Sequence, residues 1–154
     1  VNIFVLSKHP GLAAEMACDK HVVKMPLESA QLLCGVFPEG IAPYRRSHYN
    51  HPCAKWTRAS LANYNWLLLH GKALAYEYTH RYGRRHKSEG VIDWCAQNKH
   101  LLEFKQNKPT LFAQAMPQYC KEHDAVQAYR TYYICEKNHI AQWTRRAKPQ
   151  WFKI

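Results

Sequence analysis

The chain has 154 residues, 47% of them hydrophobic and 13% aromatic, enough apolar surface for one folded domain and too much for a disordered chain. Its 22 Lys and Arg outweigh 11 Asp and Glu, giving a formal net charge of +11, which points to a polyanionic partner. No apolar run reaches the roughly 18 residues that span a bilayer, so a soluble, cytoplasmic protein is expected, in the host cytoplasm if phage-encoded.

The opening Asn2 to Leu6 is too short for a secretory core and lacks a basic flank. It reads as a short buried strand or extended segment, ended by Pro10-Gly11. A helical pattern follows from Leu12 to about Val36, with Pro26 inside it to kink or split it. Val22, Val23, Leu27, Leu32 and Leu33 can supply its buried side. Lys20, Lys24, Glu28 and Gln31 recur at spacings of three and four and share a face.

Phe37 to Pro43 is a loop rich in breakers, and Tyr44 to His51 holds two Arg, two His and two Tyr in eight residues. A loop of that chemistry is a candidate site. Pro52 then opens a long helix. Its stripe runs through Cys53, Trp56, Ser60, Tyr64, Leu67, Gly71, Leu74, Tyr78 and Tyr82, and Gly83 caps its end. Ser88 is read as the cap of a third helix through Trp94 and Cys95. The stretch from Asn98 to Cys120 is irregular. Asp124 caps a last helix, Ala125 to about Asn138, with Val126, Tyr129, Tyr133 and Ile134 inward. The tail Lys148 to Lys153 is expected to be extended and aromatic. The whole, residues 1–154, reads as one mainly α domain with no repeat or linker.

Basic clusters lie at Arg45-Arg46, Arg84 to Lys87 and Arg145 to Lys148, each beside aromatic residues. Cations for phosphates next to rings that can stack on bases form a nucleic-acid footprint. Six cysteines at wide spacings show no Cys-x-x-Cys, so reduced, mostly buried thiols are expected. His48 and His51 are three apart, but no carboxylate-histidine signature accompanies them. No metal and no cofactor are expected.

The helix from Asp19 to Val36 resembles the active-site helix of pyrimidine-dimer DNA glycosylases of the phage endonuclease V type. There an Asp-x-His is followed, seven residues after the His, by the catalytic glutamate; here Asp19 and His21 precede Glu28 at that spacing. Pro149-x-Trp151-Phe152-Lys153 is similar to that family's aromatic, basic tail at the DNA. Asn50-His51-Pro52, before a helix ending in Arg81-Tyr82-Gly83, is similar to bacterial relatives. The resemblance implies a compact helical fold acting on a pyrimidine in double-stranded DNA. The chain also resembles small phage proteins that carry Cys-Asp-Lys-His-Val-Val-Lys-Met and His-Tyr-Asn-His-Pro-Cys. This look is associated with phage DNA repair or with thymine hypermodification. In the latter, amino acid:DNA transferases join an amino acid to a phosphoactivated 5-hydroxymethyl-uracil.

Two departures separate these readings. The glycosylases place arginines one before and three after the catalytic glutamate, where this chain has Leu27 and Gln31. Their nucleophile is a free N-terminal amine, and this sequence starts at Val1. Transfer of an amino acid such as glycine is therefore the first expectation, with a free amino acid as co-substrate. Glycosylase/AP lyase chemistry is the alternative, and a non-catalytic basic DNA-binding protein the second.

The expected catalytic residues are Glu28, His21, Lys24 and His51. The expected DNA and phosphate contacts are Lys20, Arg45, Arg46, His48, Tyr49, Arg58, Arg84, Arg85, Trp151, Phe152 and Lys153. Each has a plainer reading. Glu28 can simply pair with Lys24 one turn earlier, a contact worth about 0.2–0.5 kcal/mol. His21 can be a hydrogen-bonded core histidine, His51 a helix cap, and Cys53 a buried thiol rather than a nucleophile.

Overall fold

The computed structural model describes residues 1–153 and contains six helices and no strand among them. They are α1 (Pro10–Met16), α2 (Asp19–Cys34), α3 (Pro52–Ala59), α4 (Leu61–Tyr82), α5 (Glu89–Gln97) and α6 (Ala125–Glu136), with three short 3-10 turns. The long α4 is the central element: α1, α2, α3 and α5 all pack on it. Among the described residues no helix is long and apolar enough to cross a membrane.

Local signals placed several ends as expected. Asp124 accepts a hydrogen bond from the Val126 amide at 2.9 Å and starts α6. Gly83 takes the left-handed conformation (φ 73°) that closes α4 and donates to the Thr79 carbonyl. Ser88 precedes α5, although its side chain makes no capping bond.

The first helical stretch breaks at Ala17-Cys18, not at Pro26. The Asp19 amide donates to the Gln142 carbonyl at 2.7 Å and the Cys18 amide to the Tyr133 hydroxyl. These distant partners stop α1 and restart the chain as α2. Pro26 stays inside α2; the nearby Val23 carbonyl accepts from His86 Nε2 at 2.8 Å, a partner for a helix a proline has opened. The expected buried face of α2 is also corrected. Val23 and Leu27 are exposed, whereas His21, Met25 and Glu28 are buried with Val22, Leu32 and Leu33.

The second long helix divides at Ser60, which is extended and whose Oγ accepts from the Asn63 amide. The first amides of α4, at Leu61 and Ala62, donate to the carbonyls of Gln106 and Asn107. The stripe otherwise runs inward as read, except that Tyr82 is exposed. Ile134 of α6 is half-buried rather than inward.

The opening segment is not a strand. Residues 2–6 are buried, but Asn2 supplies their backbone partners: its Oδ1 accepts from the Ile3 and Phe4 amides and its Nδ2 donates to the Ala115 carbonyl. Nor is the tail extended. It turns at Pro149–Phe152, where the Phe152 amide donates to the Pro149 carbonyl. Phe152 is a core residue and Trp151 packs edge-on against Tyr133.

Gly71 lets α4 approach both α2 and α5. A Cβ there would stand 3.1 Å from Ser29 Cβ and 3.2 Å from Ile92 Cδ1. Replacing Gly71 by Val therefore overpacks a three-helix contact, and urea unfolding is expected to show a loss of about 1–3 kcal/mol.

Candidate active site and nucleic-acid surface

Glu28 lies on α2 one turn beyond Lys24 and seven residues beyond His21. Helical geometry puts His21, Met25 and Glu28 on one side, facing a cavity of about 740 Å³. The opening segment lines the same cavity with Val1, Asn2 and Phe4. The amino nitrogen of Val1 stands 3.3 Å from Glu28 Oε1, with both side chains buried. Lys24 Nζ lies 3.7 Å from Oε2 but is itself exposed. The amine approaches Oε1 without hydrogen-bond alignment, so Oε1 is buried with no bonded partner. A buried carboxylate oxygen kept free of hydrogen bonds is costly. It is available to a substrate or a migrating proton.

The two histidines have different surroundings. His21 Nδ1 is 2.6 Å from the Tyr133 hydroxyl, which also accepts from the Cys18 amide. The same hydroxyl donates to Cys18 Sγ at 3.6 Å. Burial, helped by the charges of Lys137 and Lys24, lowers the His21 pKa to about 3. It is thus the packed, hydrogen-bonded histidine of the plainer reading, and a weak base. His51 accepts from the Cys53 amide through Nδ1 and caps α3 while bordering the cavity. Burial first, then the Val1 ammonium and His48, hold its pKa below the usual histidine value. A neutral imidazole there suits proton acceptance. Cys53 is fully buried, and burial pushes its thiol up to about 12, so it is no nucleophile.

Of the expected catalytic and phosphate-binding residues, the cavity brings together Glu28, His21, Lys24, His51 and Lys20. The others lie elsewhere. Arg45, Arg46 and Tyr49 line a separate groove with Glu39. There Arg46 and Arg58 stack on Tyr49 at 4.2 and 3.8 Å. Arg46 also donates to the Phe37 carbonyl, and Arg58 to the Tyr49 carbonyl. His48 is exposed, with a left-handed backbone (φ 51°). Arg84 donates to the Tyr78 hydroxyl, and Arg85 pairs with Glu89 and Asp93. Phe152 is sealed in the core, so its ring cannot stack on a base. Trp151 Nε1 is engaged with Met16 Sδ, and Arg130 sits over its ring. Lys153 is exposed.

The sequence reading missed the far wall of the cavity, built by Gln114 to Pro117, Lys121, Tyr132 and Lys137. Nothing in the spacing of these residues marks a shared surface. Among the described residues no cluster of three metal-ligating side chains occurs.

A family model described as pyrimidine dimer DNA glycosylase matches residues 1–89, more than half of the chain. The chain belongs to this family, and is a DNA-modifying enzyme of glycosylase-like type. No curated protein and no solved structure matches it. The matched span contains Val1, His21, Glu28 and His51; the far wall lies outside it.

The buried histidines set an acid limit on the fold. His21 is lowered to about 3, and His70, whose Nδ1–H donates to the Pro10 carbonyl, to about 4. Unfolding restores both to the ordinary value near 6.5, so the unfolded chain takes up protons that the folded one refuses. Urea midpoints are expected to fall as pH drops from about 6.5 toward 4. A His70→Gln variant flattens part of that slope.

Proposed function

We propose that this enzyme is a DNA glycosylase/AP lyase acting on a damaged pyrimidine in duplex DNA, with Glu28 and the Val1 amine as its reacting groups. The observation that supports it is the 3.3 Å approach of the Val1 nitrogen to the buried, unbonded Oε1 of Glu28. The reading concerns the form of the chain whose amino terminus is Val1. Glu28 accepts a proton from the ammonium, and the freed nitrogen pair attacks C1′ of the sugar. The bond from C1′ to the base breaks, and the base leaves with the bonding electrons and picks up a proton. The nitrogen, bonded to C1′ and still carrying two protons, gives up one, and opening of the sugar ring, whose oxygen takes up a proton, leaves a protonated imine between Val1 and C1′. Removal of a C2′ proton then expels the 3′ phosphate and cleaves the strand. In this reading Glu28 and His51 carry these protons.

Amino acid transfer to a phosphoactivated 5-hydroxymethyl-uracil is the second reading. It is favoured by Lys20 and Lys24 at the cavity, suited to a departing phosphate, and by the exposed Leu27 and half-exposed Gln31 in place of lesion-gripping arginines.

Borohydride reduction during incubation with duplex DNA containing a pyrimidine dimer is expected to trap a covalent adduct that peptide mapping places on Val1. Glu28→Gln should lower the trapping rate by about 10²–10⁴-fold. One extra residue ahead of Val1 moves the amine by about 3.3–3.6 Å and should abolish the trap. No adduct from the unextended chain, or an undiminished one from the extended chain, overturns the proposal. A glycine-sized mass gain on phosphorylated 5-hydroxymethyl-uracil DNA would establish transfer instead.

A further inference from the structure

The cavity has two walls of different origin. Val1 to Phe4, α2 and His51 form one. The other comes from Gln114 to Ile140, beyond the residues that the family model matches.

At the junction of these walls the Phe4 ring contacts one ring from each. Phe4 stacks on His21 with centroids 4.1 Å apart at 25°, and lies nearly parallel to Tyr132, 5.9 Å away at 14°. Phe4 adopts φ 37°, a strained conformation for a bulky residue, held by the two bonds from its backbone and that of Ile3 to Asn2. From that backbone the Phe4 ring meets both of the other rings. Lys137 lies over the Tyr132 ring, its ammonium 5.0 Å from the centroid. Among the described residues neither Lys137 nor Lys121 is paired with a carboxylate. Glu28 is the one acidic side chain lining a cavity that also holds Lys20, Lys24, Lys121 and Lys137. Its volume suits a whole nucleotide.

We infer that this second wall is a nucleotide clamp: Tyr132 stacks on the base of a nucleotide extruded from the duplex, while Lys121 and Lys137 hold the phosphates beside it. The chemistry fits both partners. An aromatic face accepts any base and two unpaired ammonium groups accept phosphate oxygens. Lys137 lies over the ring, and a base stacking there displaces its ammonium toward the strand. The clamp deepens the DNA-acting reading by assigning the grip on substrate to residues distinct from the reacting pair.

Fluorescence anisotropy with a fully paired duplex and with one bearing a single extrahelical nucleotide tests it without any bond being broken. The wild-type protein should prefer the second duplex. Tyr132→Ala should reduce that preference roughly tenfold, while Tyr132→Phe, which keeps the ring, should retain it. Replacing Lys121 and Lys137 together by Gln should make the plot of log Kd against log salt shallower by about 1.8. Tyr132→Ala with the full preference, or an unchanged salt slope, overturns the clamp. Preference and slope behaving as stated in a protein that forms no borohydride adduct would remove the lyase chemistry and leave the clamp standing.

Discussion

The buried guanidinium of Arg81 is the contact on which the arrangement of the site depends. Its side chain is fully enclosed, near the end of α4, and it donates in three directions: to Glu77 Oε2 at 2.8 Å, to Asp19 Oδ1 at 3.0 Å and to the Glu15 carbonyl at 3.0 Å. It thereby fixes the end of α1 and the start of α2 against α4. The two carboxylates extend the network to the tail. Asp19 accepts from the Thr144 amide and hydroxyl, and Glu77 takes a bidentate pair from Arg146. Burial alone would raise the Glu77 pKa, but hydrogen bonds from Arg146 and Arg81 outweigh it and hold the group below the usual carboxylate range. A buried charge of this kind is tolerable only when every partner is present. That is why two helix ends and the tail are organised as one unit.

This anchoring determines what α2 turns inward. Held at its first residue, the helix presents His21, Met25 and Glu28 to the cavity and leaves Val23 and Leu27 in solvent. A hydrophobic ranking of the sequence alone favours the opposite roll. The apolar surface left exposed is offset by burial of Val22, Ala30, Leu32 and Leu33 on the core side. The amphipathic pattern of this helix is weakened where Glu28 is turned inward.

What could be read from the sequence was local. Asp124, Gly83 and the Tyr64–Leu67–Gly71–Leu74 stripe act through neighbours within a turn or two, so their pattern suffices. The helix breaks at Cys18 and Ser60 have their partners at Gln142, Tyr133, Gln106 and Asn107, which no window of sequence contains. The strand expected at Asn2 to Leu6 failed for the same reason. Its apolar run is real and buried, but Asn2 replaces the partner strand. In the site, the spacing of His21 and Glu28 was legible because one helix carries both. Tyr132 and Lys137 were not, because only the fold brings α6 to α2. Phe152 shows the converse: an aromatic tail reads as a stacking surface until the core is seen to need that ring.

The proposed division of the site gives Leu27 and Gln31 a different meaning. Arginines at those two positions of α2 would place cations on the same helix as Glu28, joining grip and chemistry in one element. Here α2 keeps the glutamate, with the amine beside it, while its cations lie at Lys20 and Lys24 on the cavity side. The remaining positive charge at the cavity comes from Lys121 and Lys137, on the opposite wall. Under the proposed roles, recognition and reaction vary independently, since a change in the second wall leaves Glu28 where it is. A helix held by Arg81 at one end carries Glu28 toward a wall that lies outside the matched span, so the acid and the wall it faces come from different parts of the chain.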